Sequence, residues 1–299
     1  LVRGGVIYVS TNSGASWATF PPAANWNSVA SSADGTKAVA VAGTGSIYTS
    51  TNSGSSWSAV SGTAGKFWTS VASSANGEKL IAAALNDSIY TSIDSGATWI
   101  SNNLPHLTWF SVASSVDGNI LVAAPGGINL GIGPLFVSTN SGFTWATNNS
   151  PVRAWTAVAS SADGTKLIAT AINGSSTFSN SIYTSLDFGA NWISNDVPAL
   201  LWSAVASSAD GKKLVAATYN GGVWTWQSTP TPSLNIAASN QSLKISWIVP
   251  STNFVLQQNS DWSDWMNVTD LPVLNFTNLQ KEVIQFPTNA MGIYRLKSF

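Results

Sequence analysis

Apolar residues come in short runs through most of the chain, such as WTSVAS, LIAAAL and SIYTS, broken by clusters of Gly, Asn, Asp and Ser. β-Branched and aromatic runs bounded by turn residues predict strands. The runs recur in a fixed order. The phrase W-x-x-V-A-S-S-x-[DN]-G starts at Trp26, Trp68, Trp109, Trp155 and Trp202, with successive copies about 41 to 47 residues apart. Such a period holds four short strands and predicts a β-propeller, one blade per repeat. Within one repeat, residues 68–73 read as an inner strand A, SANGEK as a turn, LIAAAL as strand B, SIYTS at 88–92 as strand C, and ATWIS as strand D.

A second phrase lies between copies of the first: STNSGASW ending at Trp17, STNSGSSW at Trp57, SIDSGATW at Trp99, STNSGFTW at Trp145 and SLDFGANW at Trp192. It follows the pattern S-x-D-x-G-x-[ST]-W, and over residues 1–228 the chain resembles the Asp-box (BNR-repeat, sialidase-like) β-propellers. The resemblance implies that this phrase is a structural turn between the outer two strands of a blade, remote from any catalytic face. The chain departs from the family in carrying Asn12, Asn52 and Asn140 where Asp is preferred, with Asp at Asp94 and Asp187. Asn bonds a turn backbone as Asp does, so the expected fold stands.

The repeats contain five A, five B and five D strands but six candidates for C, because VIYVS at 6–10 and VWTW at 223–226 both follow Gly-Gly. The expected architecture is all-β: a five-bladed propeller of four-stranded blades closed by both chain ends. Residues 202–218 would supply the inner strands of the last blade and residues 6–20 its outer hairpin. The surplus C strand would then lead into the linker or add to a neighbouring molecule. Residues 1–227 form the expected propeller, and the Pro-rich STPTPS at 228–233 a linker. Residues 234–299, with alternating segments such as SLKISWIV and GIYRLKSF, are expected to form a small β-sandwich of Ig-like or fibronectin-like type, resembling C-terminal modules of secreted bacterial proteins.

Composition narrows the partners. Of 299 residues only 8% are charged, with a formal net charge of −1, so nothing steers the chain toward nucleic acid or anionic membranes. No apolar run reaches the ~20 residues of a membrane-spanning helix. With no cysteine there is no disulfide, thiol chemistry or thiolate metal site. The start at Leu1, without Met or a leader, fits a processed mature form or a trimmed chain, and the composition fits a secreted or cell-surface protein.

In a four-stranded blade the A–B and C–D turns share one face, and the B–C and D–A loops share the other. Charges on the first face recur with the repeat: Asp34, Lys37, Glu78, Lys79, Asp117, Asp163, Lys166, Asp210, Lys212 and Lys213 in A–B turns. Their expected role is turn geometry and solubility. Charges that break the repeat, Arg3, Lys66, Asp87, Arg153 and Asp196, map with His106 to the B–C/D–A face. The long B–C loops 124–136 and 172–181 lie there too, as expected where a rigid scaffold carries function on loops. Trp26, Trp68, Trp109, Trp155 and Trp202 start their A strands near this face, where they either wedge blades together or offer rings for stacking on sugars. Phe67, Phe110, Phe178, Tyr219, His106 and Arg153 are the other candidate contacts.

Enzyme chemistry lacks parts. A glycosidase needs two carboxylates about 5 to 10 Å apart, and the only pair on this face is Asp87 and Asp196. A sialidase, as the resemblance describes it, needs three arginines and a Tyr–Glu pair, whereas the propeller has Arg3, Arg153 and one glutamate, Glu78, on the opposite face. One histidine builds no His-rich metal centre, and there is no G-x-S-x-G elbow. The sequence therefore points to a non-enzymatic extracellular module without metal or cofactor, binding a neutral glycan or an extracellular protein through the B–C/D–A loops. The alternatives are a homopolymer built by strand addition and a polysaccharide hydrolase using Asp87 and Asp196.

Overall fold

The computed structural model describes residues 5–127, 131–172, 181–195, 197–219, 221–227, 234–239, 242–248, 254–259, 264–270, 272–275, 280–285 and 293–298. All regular structure among them is β-strand. Leu1–Gln227 and Ser228–Phe299 form two compact units.

The first unit opens with a hairpin, β1 (Gly5–Val9) and β2 (Ala18–Ala24), that forms its own two-stranded sheet. Next comes a four-stranded sheet of β3 (Trp26–Ser31), β4 (Ala38–Ala42), β5 (Ile47–Ser50) and β6 (Ser58–Ala59). The second repeat gives β7 (Trp68–Ser73), β8 (Leu80–Asp87), β9 (Ile89–Ser92) and β10 (Ile100–Ser101). The third gives β11 (Leu107–Ser114), β12 (Leu121–Pro125) and β13 (Phe136–Ser138), whose outer edge is met by a bridge from Ala146 to Val137. The fourth gives β14 (Ala154–Ser160), β15 (Leu167–Ile172), β16 (Ser181–Ser185) and β17 (Ile193–Asn195), and the fifth gives β18 (Trp202–Ser207), β19 (Lys213–Thr218) and β20 (Val223–Gln227). Neighbours in each sheet run antiparallel, in sequence order from the inner strand outward. β11 also pairs at its start with the end of β8, Leu107 opposite Asp87, which ties the second sheet to the third.

Each inner strand breaks register directly after its tryptophan, between Trp26/Ser28, Trp68/Ser70, Trp109/Ser111, Trp155/Ala157 and Trp202/Ala204. A bulge there bends the strand and re-aims the extra residue. Asn27 Nδ2 donates to Trp68 O at 2.7 Å and Thr69 Oγ1 to Trp109 O at 2.9 Å, each crossing to the next sheet. The Asp-box turns explain the Asn-for-Asp exchange. Asn52 Oδ1 accepts from Ser56 N at 2.9 Å while its Nδ2 donates to Ser56 Oγ, and Asp94 accepts from both Thr98 N and Thr98 Oγ1. One geometry serves both residues because the second bond only reverses direction.

The expected closure by both chain ends is not what the structure shows. β20 pairs with β19 from Lys213↔Gln227 to Ala217↔Val223 and fills the C position itself, while β1 pairs only with β2. A hairpin across Gly221 and Gly222, at φ +100° and +103°, closes a far shorter loop than recruiting residues 6–10 would. The inner strands pack in series, β3 on β7, β7 on β11, β11 on β14 and β14 on β18, with no comparable packing between β18 and β3.

In the second unit β21 (Asn235–Ser239), β22 (Ser242–Ile248), β26 (Gln280–Gln285) and β25 (Val273–Asn275) form one antiparallel sheet. β24 (Met266–Asn267), β23 (Phe254–Asn259) and β27 (Ile293–Ser298) form another. Ile245, Trp247, Leu256 and Val283 make their shared core. The segment 228–233 lies outside the described residues.

Candidate functional site

The repeated tryptophans settle first. Trp26, Trp68, Trp109, Trp155 and Trp202 are all at 3% exposure or less. Each meets the C strand of its own sheet edge-on, Tyr48, Tyr90, Phe136, Tyr183 and Trp224 respectively, with ring centroids 5.0–6.0 Å apart. The apolar neighbours of Trp68 include Val39, Val41 and Ile47 of the preceding sheet. These rings are wedges between sheets and present no face to solvent, so the sugar-platform expectation for them is corrected. A large ring placed where two twisted sheets converge buries more apolar surface than it would at the mouth.

Residues outside the repeat do converge. Lys66 stands two positions before Trp68 on the D–A loop, held opposite Gly45 of the preceding sheet. Its Nζ reaches Asp87 Oδ2 at 2.5 Å and lies 5.1 Å from the centre of the Tyr90 ring, while Tyr90 OH donates to Asp87 Oδ1 at 3.1 Å. Burial pushes the Asp87 carboxyl up, but the Lys66 hydrogen bond and charge, with Tyr90 and His106, together hold it below the usual carboxylate range. The bonds to Asp87 and Tyr90 raise Lys66 in turn. Asp87 is thus a fixed anion and Lys66 a fixed cation, an arrangement suited to offering hydrogen bonds and unsuited to donating a proton from Asp87. Phe67 is 44% exposed, and its ring lies beside the Asn27 amide and Gly43, where a Cβ would meet both at 3.3 Å or closer. His106 is exposed and adjoins Leu107, the residue paired with Asp87.

The fourth sheet repeats the theme. Arg153 also stands two positions before its tryptophan, and its Nε donates to Tyr183 OH at 3.2 Å. The 124–136 loop is stitched to it: Gly133 and Arg153 exchange both backbone bonds at 3.0 Å, and Trp155 Nε1 donates to Gly133 O at 2.8 Å. Phe110 occupies the bulge position of β11 and is half-buried, while Tyr219 is exposed at the end of β19. Arg3, Phe178 and Asp196 lie outside the described residues, so the Asp87–Asp196 separation is not defined. Lys66, Tyr90 and Tyr183 were not among the expected contacts; the signal for them was the shared spacing of Lys66 and Arg153 from the tryptophan. Among the described residues no group of three His, Cys, Asp or Glu is placed to hold a metal ion.

No family model and no curated protein matches the chain. Solved structures do. A GH74 xyloglucanase from Xanthomonas campestris superposes with a TM-score of 0.56 at 16% identity over 78% of this chain and 45% of that one. A GH74 enzyme from Niastella koreensis gives 0.58 at 13% over 90% and 48%. The β-propeller domain of Cps50 (Swd1) from Myceliophteria thermophila gives 0.50 at 15% over 70% and 71%. The chain spans about half the length of the two GH74 proteins. At these identities the likeness is one of fold, and the chain is an all-β protein of the β-propeller class.

Proposed function

We propose that the chain is a secreted, Asp-box-type propeller acting as a non-enzymatic recognition module that binds a neutral saccharide through its B–C/D–A loops. The observation carrying this reading is the convergence of Lys66, Asp87 and Tyr90, with the exposed Phe67 next to Lys66 in the chain. A fixed carboxylate, ammonium and phenol supply donors and acceptors for hydroxyl groups, and an aromatic face covers the C–H side of a sugar ring. The ion pair cancels its own charge, which favours an uncharged ligand. The opposite face repeats one turn five times and has no such individuality.

Because one structural neighbour is a xyloglucanase, xyloglucan oligosaccharides are the first probe, followed by a panel of neutral glycans. Calorimetry is expected to show binding that Phe67→Ala and Asp87→Asn each weaken about tenfold or more, roughly 1.4 kcal/mol, with an unchanged unfolding midpoint for Phe67→Ala. Unaltered binding in both variants, or no binding across the panel, overturns the reading. Release of reducing ends in the same samples would replace it with the hydrolase alternative.

A further inference from the structure

Asp-box turns press their glycine against the preceding sheet. A Cβ at Gly96 would lie 2.8 Å from Thr49, one at Gly142 2.8 Å from Thr91, and one at Gly189 2.7 Å from Val137. Where Gly142 meets Thr91, three large apolar side chains converge: Ile93 from the turn of the preceding sheet, Ile100 from the strand after that turn, and Phe143 from the pressing turn itself. The same sequence positions hold Thr51, Ser58 and Ala97 one repeat earlier, and Thr139, Ala146 and Ala190 one repeat later. The turn backbone repeats, but only the seam between β7–β10 and β11–β13 carries this apolar trio.

Folding does not account for the trio. Ile93, Ile100 and Phe143 are 57%, 64% and 76% exposed, so they bury little apolar surface where small residues serve the neighbouring seams. Together they line a groove of about 260 Å³, whose other walls include Ser101, Asn102 and Asn103. Asn102 is committed to the fold, its Nδ2 donating to Ile89 O at 3.2 Å and Thr91 Oγ1 at 3.1 Å. The exposed side chains of Ser101 and Asn103 have no hydrogen-bond partner among the described residues. No ionisable side chain lines the groove. An apolar wall with one aromatic ring, a free hydroxyl, a free amide and no charge suits an uncharged ligand that has both an apolar face and hydroxyl groups, as a pyranose ring has. An extended peptide is a poorer fit, because the edge strand β10 offers only Ile100 and Ser101 for pairing.

We propose that this groove is a second binding site, taking a single neutral pyranose ring between the outer strands of one sheet and the Asp-box turn of the next. Phe143 is the platform for the C–H face of the ring, Ile93 and Ile100 form the apolar wall, and Ser101 and Asn103 bond its hydroxyls. The volume lies just below the ~300–1,000 Å³ of drug-sized sites, which limits the groove to one ring, free or as one unit of a longer glycan. The site shares no residue with the Lys66, Asp87, Tyr90 and Phe67 group and stands whether or not that group binds a saccharide. Combined with that group, a step that rests on the recognition reading above, it lets one chain hold two glycan strands and gain avidity from both.

Isoleucine δ1-methyl NMR of the full chain reads the groove directly through Ile93 and Ile100. The probes are the methyl glycosides of glucose, galactose, mannose and xylose. The expected result is a saturable shift of both methyl signals with at least one probe. Phe143→Ala and Asn103→Ala are each expected to raise its Kd about fivefold or more, with the unfolding temperature unchanged in Phe143→Ala because the ring is exposed. Phe67→Ala is expected to leave the shifts intact; losing them there would assign the binding to the loop site and overturn the proposal. No saturable shift with any probe, or shifts unaltered in Phe143→Ala, also overturns it. Shifts that follow protein concentration without saccharide would give the groove to a second copy instead. Groove shifts that persist while Phe67-dependent binding is absent would overturn only the loop reading.

Discussion

Alanine replacement of the five A–B turn glycines separates backbone strain from packing between sheets. Gly35, Gly77, Gly118, Gly164 and Gly211 share one conformation, with φ between +64° and +72°. Holding an L-residue there costs about 1–2 kcal/mol, the same at every site. The surroundings differ. At Gly35 the new methyl meets nothing within 4 Å. At Gly118 it would lie 2.6 Å from Lys79 Cβ and 2.8 Å from Lys79 Cδ, well inside the ~3.5–4.0 Å optimum for carbon pairs. At Gly164 it meets Ile120, branched and buried, where the other junctions offer a lysine whose outer carbons can swing aside. Overpacking of this kind adds about 1–3 kcal/mol. The expected losses are therefore about 1 kcal/mol for Gly35→Ala, about 2 for Gly77→Ala, Gly118→Ala and Gly211→Ala, and about 3 or more for Gly164→Ala. Urea denaturation measures each. Lys79→Ala combined with Gly118→Ala is expected to recover only part of the excess over Gly35→Ala in a double-mutant cycle, because alanine removes Cδ and keeps the Cβ at 2.6 Å. Equal losses at Gly35 and Gly164 would refute the idea that the turn glycines exist for close approach between sheets.

Two further outcomes follow from the hydrogen bonds. Trp68 Nε1 donates to Thr63 O at 3.0 Å, whereas Trp109 Nε1 is buried without a partner among the described residues, so Trp68→Phe is expected to cost about 1 kcal/mol more than Trp109→Phe; the reverse order in thermal unfolding contradicts this. In acid, Ser32 and Thr36 hold the Asp34 carboxyl down to about 2, and hydrogen bonds likewise lower Asp94, Asp117, Asp163, Asp187 and Asp210. These groups bind protons less readily folded than unfolded. Their contribution is complete above pH ~4 and lost as pH falls toward 2, so the unfolding midpoint should drop in that window and Asp34→Asn should flatten the drop. A midpoint independent of pH from 5 to 2, an interval spanning the ordinary carboxylate range of about 4, would remove the turn carboxylates from the account.

What repeats in this chain is legible from its sequence, and the structure shows why. A residue required by one blade is required by all, so W-x-x-V encodes the bulge after each tryptophan, and S-x-[DN]-x-G encodes a turn whose second bond runs either way between position 3 and position 7, as Asn52–Ser56 and Asp94–Thr98 do. What occurs once or twice is harder to read. Gly-Gly stands before both Val6 of β1 and Val223 of β20, and nothing in either segment says which of them borders β19; the decision falls to chain connectivity, because a short hairpin loop costs less entropy than a ring closed through the whole unit. Burial of the tryptophans had the same ambiguity, since a repeated ring suits a wedge or a platform equally until its neighbours are placed. The site is the opposite case. Lys66 and Arg153 reach tyrosines on C strands 24 and 30 residues further along, as Tyr90 and Tyr183, contacts that only the folded blade brings together. Both cations use the same geometric slot, yet among the described residues only Lys66 finds a carboxylate there, supplied by Asp87 on the β8 extension that pairs with β11. A scaffold built of equal parts acquires a distinct site where one loop lengthens a strand and thereby adds a group that the other repeats lack.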